Sequence, residues 1–500
     1  MRDPAALQQA FVEALARIDL FAGARRHGVV LSVGDGVAQV GGLDEVGSEE
    51  LVAFDSGALG MANELAPEST GVVLLFGAAA VVEGEGVRRL GRTPSLRVGR
   101  SLLGRVIDPL GAALDDGPEL VGEVRELFQP APELVERTGV TRPLLTGILA
   151  IDAAIPIGRG QRELVVGDHN TGKTSLALDV VAAQRLGEVA CVYVVVGQPM
   201  SRVLAVRDAL EEAGALANTV VVAADAATPP GLQYLAPYAG ASAAEWFRDR
   251  GGDALVVYDD LTKHADACRE LALLLGRPPG REAYPGDIFY LHAELLERAA
   301  ARRPEAGGGS VTALPLVETT ESEISAYIPT NLISITDGQI YLDTGRFERN
   351  QRPAVDVGRS VSRIGAAAQP GSMREASRSL RILLSLFESL EALTRVGLEV
   401  EETTRRTLER GRLLRELLRQ PRFDRLRAGD EVLTLTAVFD GWLDAQPPRQ
   451  ARDELRRTCE RARREELATM EKLDAGGPLD PKLKERMRHC LARERESGGR

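Results

Sequence analysis

The eight residues Gly167-Asp168-His169-Asn170-Thr171-Gly172-Lys173-Thr174 constrain this chain more than any others, because they match G-x-x-x-x-G-K-[ST]. Such a loop works only between a buried strand and a helix. Both are present: Glu163–Val166 reads as a strand, and Ser175-Leu176-Ala177-Leu178-Asp179 begins a helix. Gly167 and Gly172 let the loop fold tightly and aim successive backbone N–H groups at phosphate. Lys173 brings positive charge to the outer phosphates, Thr174 offers a hydroxyl to Mg²⁺, and the helix start adds its positive dipole end. The bland alternative is a chance match to a short pattern. The flanking strand and helix argue against it, and Mg-ATP or Mg-ADP is the expected ligand.

A second element agrees. Ala254-Leu255-Val256-Val257-Tyr258-Asp259-Asp260 is an apolar run ending in two carboxylates, as a strand that holds Mg²⁺ or its water shell beside a phosphate loop should end. That role falls to Asp259, and Asp260 reads as structural. On its own the pair says less, since carboxylates commonly cap the following helix.

Around these motifs, residues from about 97 to 372 alternate apolar strands with helical segments, the pattern of a parallel sheet covered on both faces. Expected buried strands are Glu163–Val166, Ala190–Val196, Thr219–Ala223, Ala254–Tyr258 and Leu332–Thr336. Before this unit, residues 27–96 carry short alternating runs broken by turn signals such as Gly34-Asp35-Gly36, which predict a small β-barrel or sandwich. After it, residues 373–500 are rich in Leu, Arg and Glu. There Leu380, Leu383, Leu384, Phe387, Leu390 and Leu393 fall on one helical face. Residues 1–26 read as a helix capped by Asp3 with Pro4 at its first position. That helix either packs on its own domain or docks a partner. The pattern reads as multidomain α/β: a small β-barrel or sandwich, a parallel-sheet P-loop domain and a helical domain.

Composition narrows the function. A net charge of -12 argues against nucleic-acid binding as the main task. No run approaches the roughly 18 apolar residues that span a bilayer, and the N-terminus lacks the pattern of a signal peptide. The four cysteines and five histidines are scattered, without metal-ligand spacing. The expectation is a cytoplasmic protein without a metal cage of side chains.

Further motifs carry a resemblance. Arg281-Glu282-Ala283-Tyr284-Pro285-Gly286-Asp287, Ser325-Ala326-Tyr327-Ile328-Pro329-Thr330-Asn331, Ile335-Thr336-Asp337-Gly338-Gln339 and Pro353-Ala354-Val355-Asp356-Val357-Gly358 with Ser360-Val361-Ser362-Arg363 resemble the α subunit of the F-type rotary ATP synthase. The resemblance runs from about Gly28 to the helical C-terminus. It implies three domains, a β-barrel, a RecA-like core and a helical bundle, and an alternating three-plus-three ring with catalytic β subunits around a central rotating shaft. It also implies a peripheral stalk at the N-terminal helix, a membrane rotor reached indirectly, and a place on the cytoplasmic face of the bacterial membrane.

The resemblance also bears on turnover. In the related catalytic subunit the strand after the P-loop helix ends in Gly-Glu, and the Glu positions the attacking water. Here the corresponding strand ends in Gly197-Gln198. An amide orients water by hydrogen bonding but is no base near neutral pH. The nucleotide is therefore expected to be held, and Arg363 to be presented in trans to a neighbour's nucleotide, with Ser334 at the same interface. Arg352 and Pro353 resemble part of the adenine pocket, and Gln420 approaches the base from the helical domain. The sequence departs from the family at His169-Asn170, where Arg-Gln is usual, at Pro199-Met200, where a basic residue follows Gly-Gln, and at Arg422, where a second glutamine is expected. These differences suggest a divergent or alternate bacterial branch. The alternatives are a self-sufficient hexameric ATPase, such as a type III secretion export motor, and a scaffold with a vestigial nucleotide site.

Overall fold

Alternation of apolar and polar residues in the first unit closes a sheet into a barrel. In the computed structural model, which describes residues 27–184, 188–394, 401–444 and 446–498, six strands form it: β1 (His27–Gly34), β2 (Val37–Gly41), β3 (Leu51–Phe54), β4 (Leu59–Leu65), β5 (Thr70–Phe76) and β6 (Gly86–Arg89). Their order is β1-β2-β5-β4-β3-β6, with every neighbouring pair antiparallel. Asp35 and Gly36 both take positive φ, which suits the twist of the tight β1–β2 hairpin. Val30, Val40, Val52, Val72, Leu74 and Val87 fill the interior. Closure leaves no exposed sheet edge. The docking-helix reading of residues 1–26 lies outside the described residues.

The second unit is a largely parallel sheet. A ribbon of β7 (Ser95–Val98) and β9 (Glu123–Glu126) precedes it. The sheet comprises β8 (Val106–Ile107), β10 (Glu163–Asp168), β11 (Val189–Gln198), β12 (Thr219–Asp225), β13 (Asp253–Asp259), β14 (Ser310–Thr319), β15 (Gly338–Leu342) and β16 (Val361–Ser362). The order is β16-β15-β10-β14-β13-β11-β12-β8, and only β16 runs antiparallel to its neighbour. Near-continuous burial along β11 and β13 explains their unbroken apolar sequences. Cys191, in the middle of β11, is fully buried and its thiol is pushed up to about 12 by that burial. It serves as a small hydrophobe.

One expected strand is a helix. Leu332–Thr336 falls at the end of the helix Tyr327–Ile335 and its cap. Its short apolar run has strand composition, and periodicity alone cannot separate a short strand from a buried helix. The core takes Ile328, Pro329 and Leu332, at helical spacing, and leaves Ser334 exposed. The strand β14 was not among the expected ones; it carries Pro315, a residue uncommon in central strands, which pairs with Tyr258 inside the sheet.

From Gly371 onward the described residues form helices: Gly371–Ser377, Leu380–Thr394, Glu402–Leu417, Ala428–Phe439, Pro448–Glu465, Leu467–Asp474 and Pro481–Gly498. Leu380, Leu384 and Phe387 are buried, Leu383 and Leu390 half-buried, and the Leu393 side chain lies outside the described set. The bundle joins the sheet domain at the short helix Leu149–Ala154. There Gln369 Nε2 donates to the carbonyls of Asp152 (2.9 Å) and Ala153 (3.2 Å). No helix among the described residues is long and apolar enough to cross a membrane.

Candidate nucleotide site

The parallel strands bring their carboxyl ends together at one place, where ligands bind in open α/β sheets. Gly167 pairs with Glu318 across β10 and β14, and Val195 pairs with Asp259 across β11 and β13. The phosphate loop leaves β10 here and enters the helix Lys173–Ala183 through Gly172, whose φ of 98° few side-chain-bearing residues adopt. Asn170 also takes positive φ, which asparagine tolerates better than most residues.

The side chains that follow are organised around phosphate and cation chemistry. Lys173 Nζ donates to the carbonyls of Gly167 and Asp168, both at 2.8 Å. Burial lowers its pKa, against the nearby carboxylates of Glu318, Asp260, Asp259 and Asp168. Thr174 Oγ1 and Tyr193 OH each donate to Asp259 Oδ2 at 2.8 Å. Burial raises the Asp259 carboxyl, opposed by those two hydroxyls and by Arg202 and Lys173. Asp260 accepts from the Lys263 N–H at 2.8 Å and so caps the next helix. Burial, then the adjacent Asp259, pushes its carboxyl up to about 7. Gln198 Nε2 reaches Asp259 Oδ1 at 3.4 Å and Asp260 Oδ2 at 3.5 Å.

Asp168 has a different task. It accepts from the hydroxyls of Thr319 (2.6 Å), Ser322 (3.0 Å) and Thr344 (3.0 Å) and from the Ser322 N–H (2.8 Å). Burial works against its charge, but these donors hold its pKa below the usual value. Asp168 therefore ties the loop to the segments after β14 and β15. Its neighbour His169 points outward, 76% exposed, with Nδ1 at 2.7 Å from Glu318 Oε1.

A cleft of 830 Å³ opens beside the loop, within the range of small-molecule sites. His169 to Leu176, Gln198, Asp259, Arg352, Pro353 and Gln420 all line it. The structure thus gathers the expected phosphate, cation and base-side residues into one cavity, except Gly167 and Asp168, which do not line it. It adds residues that sequence reading missed, chiefly Arg202, Glu318 and Phe347, and brings in Arg422, noted in the sequence as a departure from the family. Arg202 sits one residue pair beyond Pro199-Met200, on the helix Met200–Glu212, and restores a basic group near Gln198. A search for the next basic residue on that helix would have found it. Arg352 lies 4.5 Å over the Phe347 ring, making a flat cationic wall.

Three models of the ATP synthase alpha/beta family match consecutive stretches of the chain. The beta-barrel domain matches residues 24–91, the nucleotide-binding domain 147–362, and the C terminal domain 369–493. The chain belongs to the ATP synthase alpha/beta family. Among similar family members, ATP synthase subunit alpha of Dehalococcoides mccartyi strain 195 is 48% identical over 428 residues, 85% of each chain. ATP synthase subunit alpha 2 of Burkholderia thailandensis strain E264 is 52% identical over 436 residues, 87% of this chain and 78% of the relative. The corresponding subunit of Dehalococcoides mccartyi strain BAV1 is 49% identical over 419 residues, 83% of each. The family and the α-type resemblance read from the motifs both stand, as does the barrel, parallel-sheet and helical architecture of ATP synthase alpha/beta proteins.

Within this family architecture, three sites have notable positions. Gln420 lines the cleft, but its amide is engaged: Oε1 accepts from Leu149 N–H (2.8 Å), and Nε2 donates to the carbonyls of Gly147 (2.9 Å) and Asp424 (3.0 Å). Arg363 and Ser334 are absent from the cleft lining. Both are exposed near the C-terminal end of the helix Tyr327–Ile335, where Arg363 Nη1 donates to Thr336 O at 3.3 Å. Among the described residues Arg363 has no ion pair within 4.0 Å; it follows β16, the strand at the sheet edge.

Magnesium chemistry fits this donor set. Among the described residues no group of three His, Cys, Asp or Glu side chains could hold a metal. Thr174 Oγ1 and Asp259 Oδ2 nevertheless form a hard-oxygen pair, suited to an ion that takes most of its ligands from water and phosphate.

Proposed function

We propose that this chain is the non-catalytic, nucleotide-holding α subunit of a membrane-associated rotary ATP synthase. On this reading Gly167 to Thr174 hold the phosphates of Mg-ATP or Mg-ADP, and Arg352, Pro353 and Gln420 flank the base. Thr174 and Asp259 would hold Mg²⁺, directly or through water, and the ion would supply charge neutralisation at the phosphates. Catalysis occurs in a neighbouring β subunit, to which Arg363 is presented in trans, with Ser334 at the same interface. The ring couples ATP synthesis or hydrolysis to ion translocation. Residues 1–26 dock a peripheral stalk, and the assembly sits on the cytoplasmic face of the bacterial membrane. The departures at His169, Asn170 and Arg422 support a divergent or alternate branch.

The observation that carries this reading is Gln198. It lies at the carboxyl end of β11 with its amide directed to the two aspartates. An amide cannot take a proton from water near neutral pH. The carboxylates around it are engaged: Asp259 by two hydroxyls, Asp260 by a helix N–H, and Glu318 by His169.

A second reading, a self-sufficient ring ATPase, draws support from Asp260, a carboxyl that lines the cleft beside the Gln198 amide, 3.5 Å from its Nε2. ATPase rates of the isolated chain, its complex with a co-expressed β subunit, and the Arg363→Ala complex discriminate the two. The α reading expects negligible turnover from the chain alone, high turnover from the complex, and its loss in the variant. High turnover from the isolated chain that disappears in Asp260→Asn would favour the second.

A further inference from the structure

A second cleft, of 620 Å³, lies between the sheet domain and the helical bundle, and five arginines stand among its lining residues. Arg349, Arg412, Arg415, Arg419 and Arg449 face it against a single acid, Glu416. The arginines come from three separate segments: the turn after the helix Thr344–Glu348, the helix Glu402–Leu417 with its end, and the start of the helix Pro448–Glu465. Arg415 is held by Glu391 through a two-armed ion pair (2.8 and 2.9 Å), and Arg419 by Glu416 at 2.9 Å. Arg349, Arg412 and Arg449 have no ion pair and no guanidinium hydrogen bond among the described residues.

Two independent features point to an anion. In a chain of net charge -12, three exposed guanidinium groups without a paired acid face one cavity, where they create a locally positive field that attracts an anion. The helix Pro448–Glu465 also begins at this cleft with Pro447, Pro448 and Arg449 in its lining, so its positive dipole end adds to the same field. We propose that this cleft is a second anion site, distinct from the P-loop, which takes the phosphate chain of a di- or triphosphate. Planar guanidinium forks match phosphate oxygens two at a time. Arginines from three segments span more than one phosphate, which favours a chain over a lone monophosphate. The cavity also admits a nucleoside attached to that chain. The inference does not rest on the subunit role proposed above.

The test uses the full chain carrying Lys173→Ala, which silences the P-loop, with inorganic pyrophosphate as probe in calorimetry at low salt. Binding of about one equivalent is expected, weakened at least tenfold by Arg412→Ala/Arg449→Ala and weakening as salt rises. Arg88→Ala/Arg406→Ala, an equal charge change at exposed positions elsewhere, should leave it intact. Competition by ATP and ADP would identify a nucleotide as the source of the phosphates, and binding of pyrophosphate without competition an inorganic one. Should Lys173→Ala fail to fold, the unaltered chain should lose one of two pyrophosphate equivalents on Arg412→Ala/Arg449→Ala. No binding outside the P-loop, or equal losses in the two double variants, overturns the proposal.

Discussion

Glu431 has both carboxyl oxygens buried without a hydrogen-bond donor, and the carboxyl group that acts on it most strongly is that of Asp152. Asp152 accepts from Thr146 N–H (3.0 Å), Thr146 Oγ1 (2.8 Å) and Gly147 N–H (2.8 Å), so its anion is well supplied with donors. Burial, then the adjacent Asp152 charge, disfavours a second anion here, so Glu431 is the member that keeps its proton. The pair bridges the short helix Leu149–Ala154 and the bundle helix Ala428–Phe439, beside the Gly147 carbonyl that Gln420 grips.

A pH dependence follows. Burial raises both groups, Asp152 to about 6 and Glu431 well above its usual value, the latter also repelled by Asp152. The folded chain therefore holds protons that the unfolded chain releases above about pH 4. The pair's contribution is fully present below that point and is lost as pH rises through about 6 and beyond. Glu431→Gln keeps a donor to Asp152 without a titrating proton. Denaturant unfolding should show the variant more stable at pH 8 by about 1–3 kcal/mol, the cost of an unsatisfied buried polar group, with the gap closing towards pH 5. Parallel pH profiles for the two proteins would show that Glu431 is not protonated in the fold.

Lys173→Ala removes the cation that Gly167 and Asp168 hold at the loop. Ligand present at 100 times its Kd stabilises a folded chain by about 2.7 kcal/mol. The unaltered chain should show that rise in unfolding free energy with Mg-ATP and the variant should not. A full rise in the variant would place the nucleotide elsewhere.

Asp259 should matter to the cation more than to the nucleotide. Its Oδ2 receives the Thr174 hydroxyl at 2.8 Å, and Asp259→Asn keeps the shape while removing the charge. Groups that orient a metal's ligands change metal affinity by about 10–100-fold. Titrating Mg²⁺ against a fixed concentration of fluorescent ATP analogue should give that loss, with metal-free binding little changed. Equal losses with and without Mg²⁺ would make Asp259 a structural acid instead.

What the sequence disclosed depended on how local the signal was. The phosphate loop is one continuous run with strand and helix at its borders, and the structure has those elements where the residues called for them. The strand β11 was equally plain, being apolar from Val189 to Val196. Leu332–Thr336 misled because burial selects helical spacing only in the context of Ile328, four residues earlier. Glu318 and Arg202 were hidden for another reason: each reaches the cleft through a neighbouring strand or helix, and only the β10–β14 and β11–β13 pairings put them together. Asp152 and Glu431, 279 positions apart, carry no mark in the sequence of their mutual effect.

Arg363 yields the sharpest functional prediction because its position separates its effect from nucleotide binding. It is exposed beyond β16, its backbone N–H bonded to Asp337 O at 3.0 Å and its guanidinium to Thr336 O at 3.3 Å. It is absent from the lining of the chain's own cleft. Arg363→Ala should therefore leave nucleotide binding to the isolated chain unchanged. In the complex with β, the same variant should lower turnover by about 10³–10⁵-fold, the range for an arginine that stabilises a transferring phosphoryl group. Arg363→Lys should recover little, since a point charge on a flexible stem lacks the planar fork. A complex that turns over normally with Arg363→Ala, after its assembly is checked by gel filtration, would reduce this residue to a surface arginine. Full recovery with lysine would instead show that positive charge alone is what the neighbouring site requires.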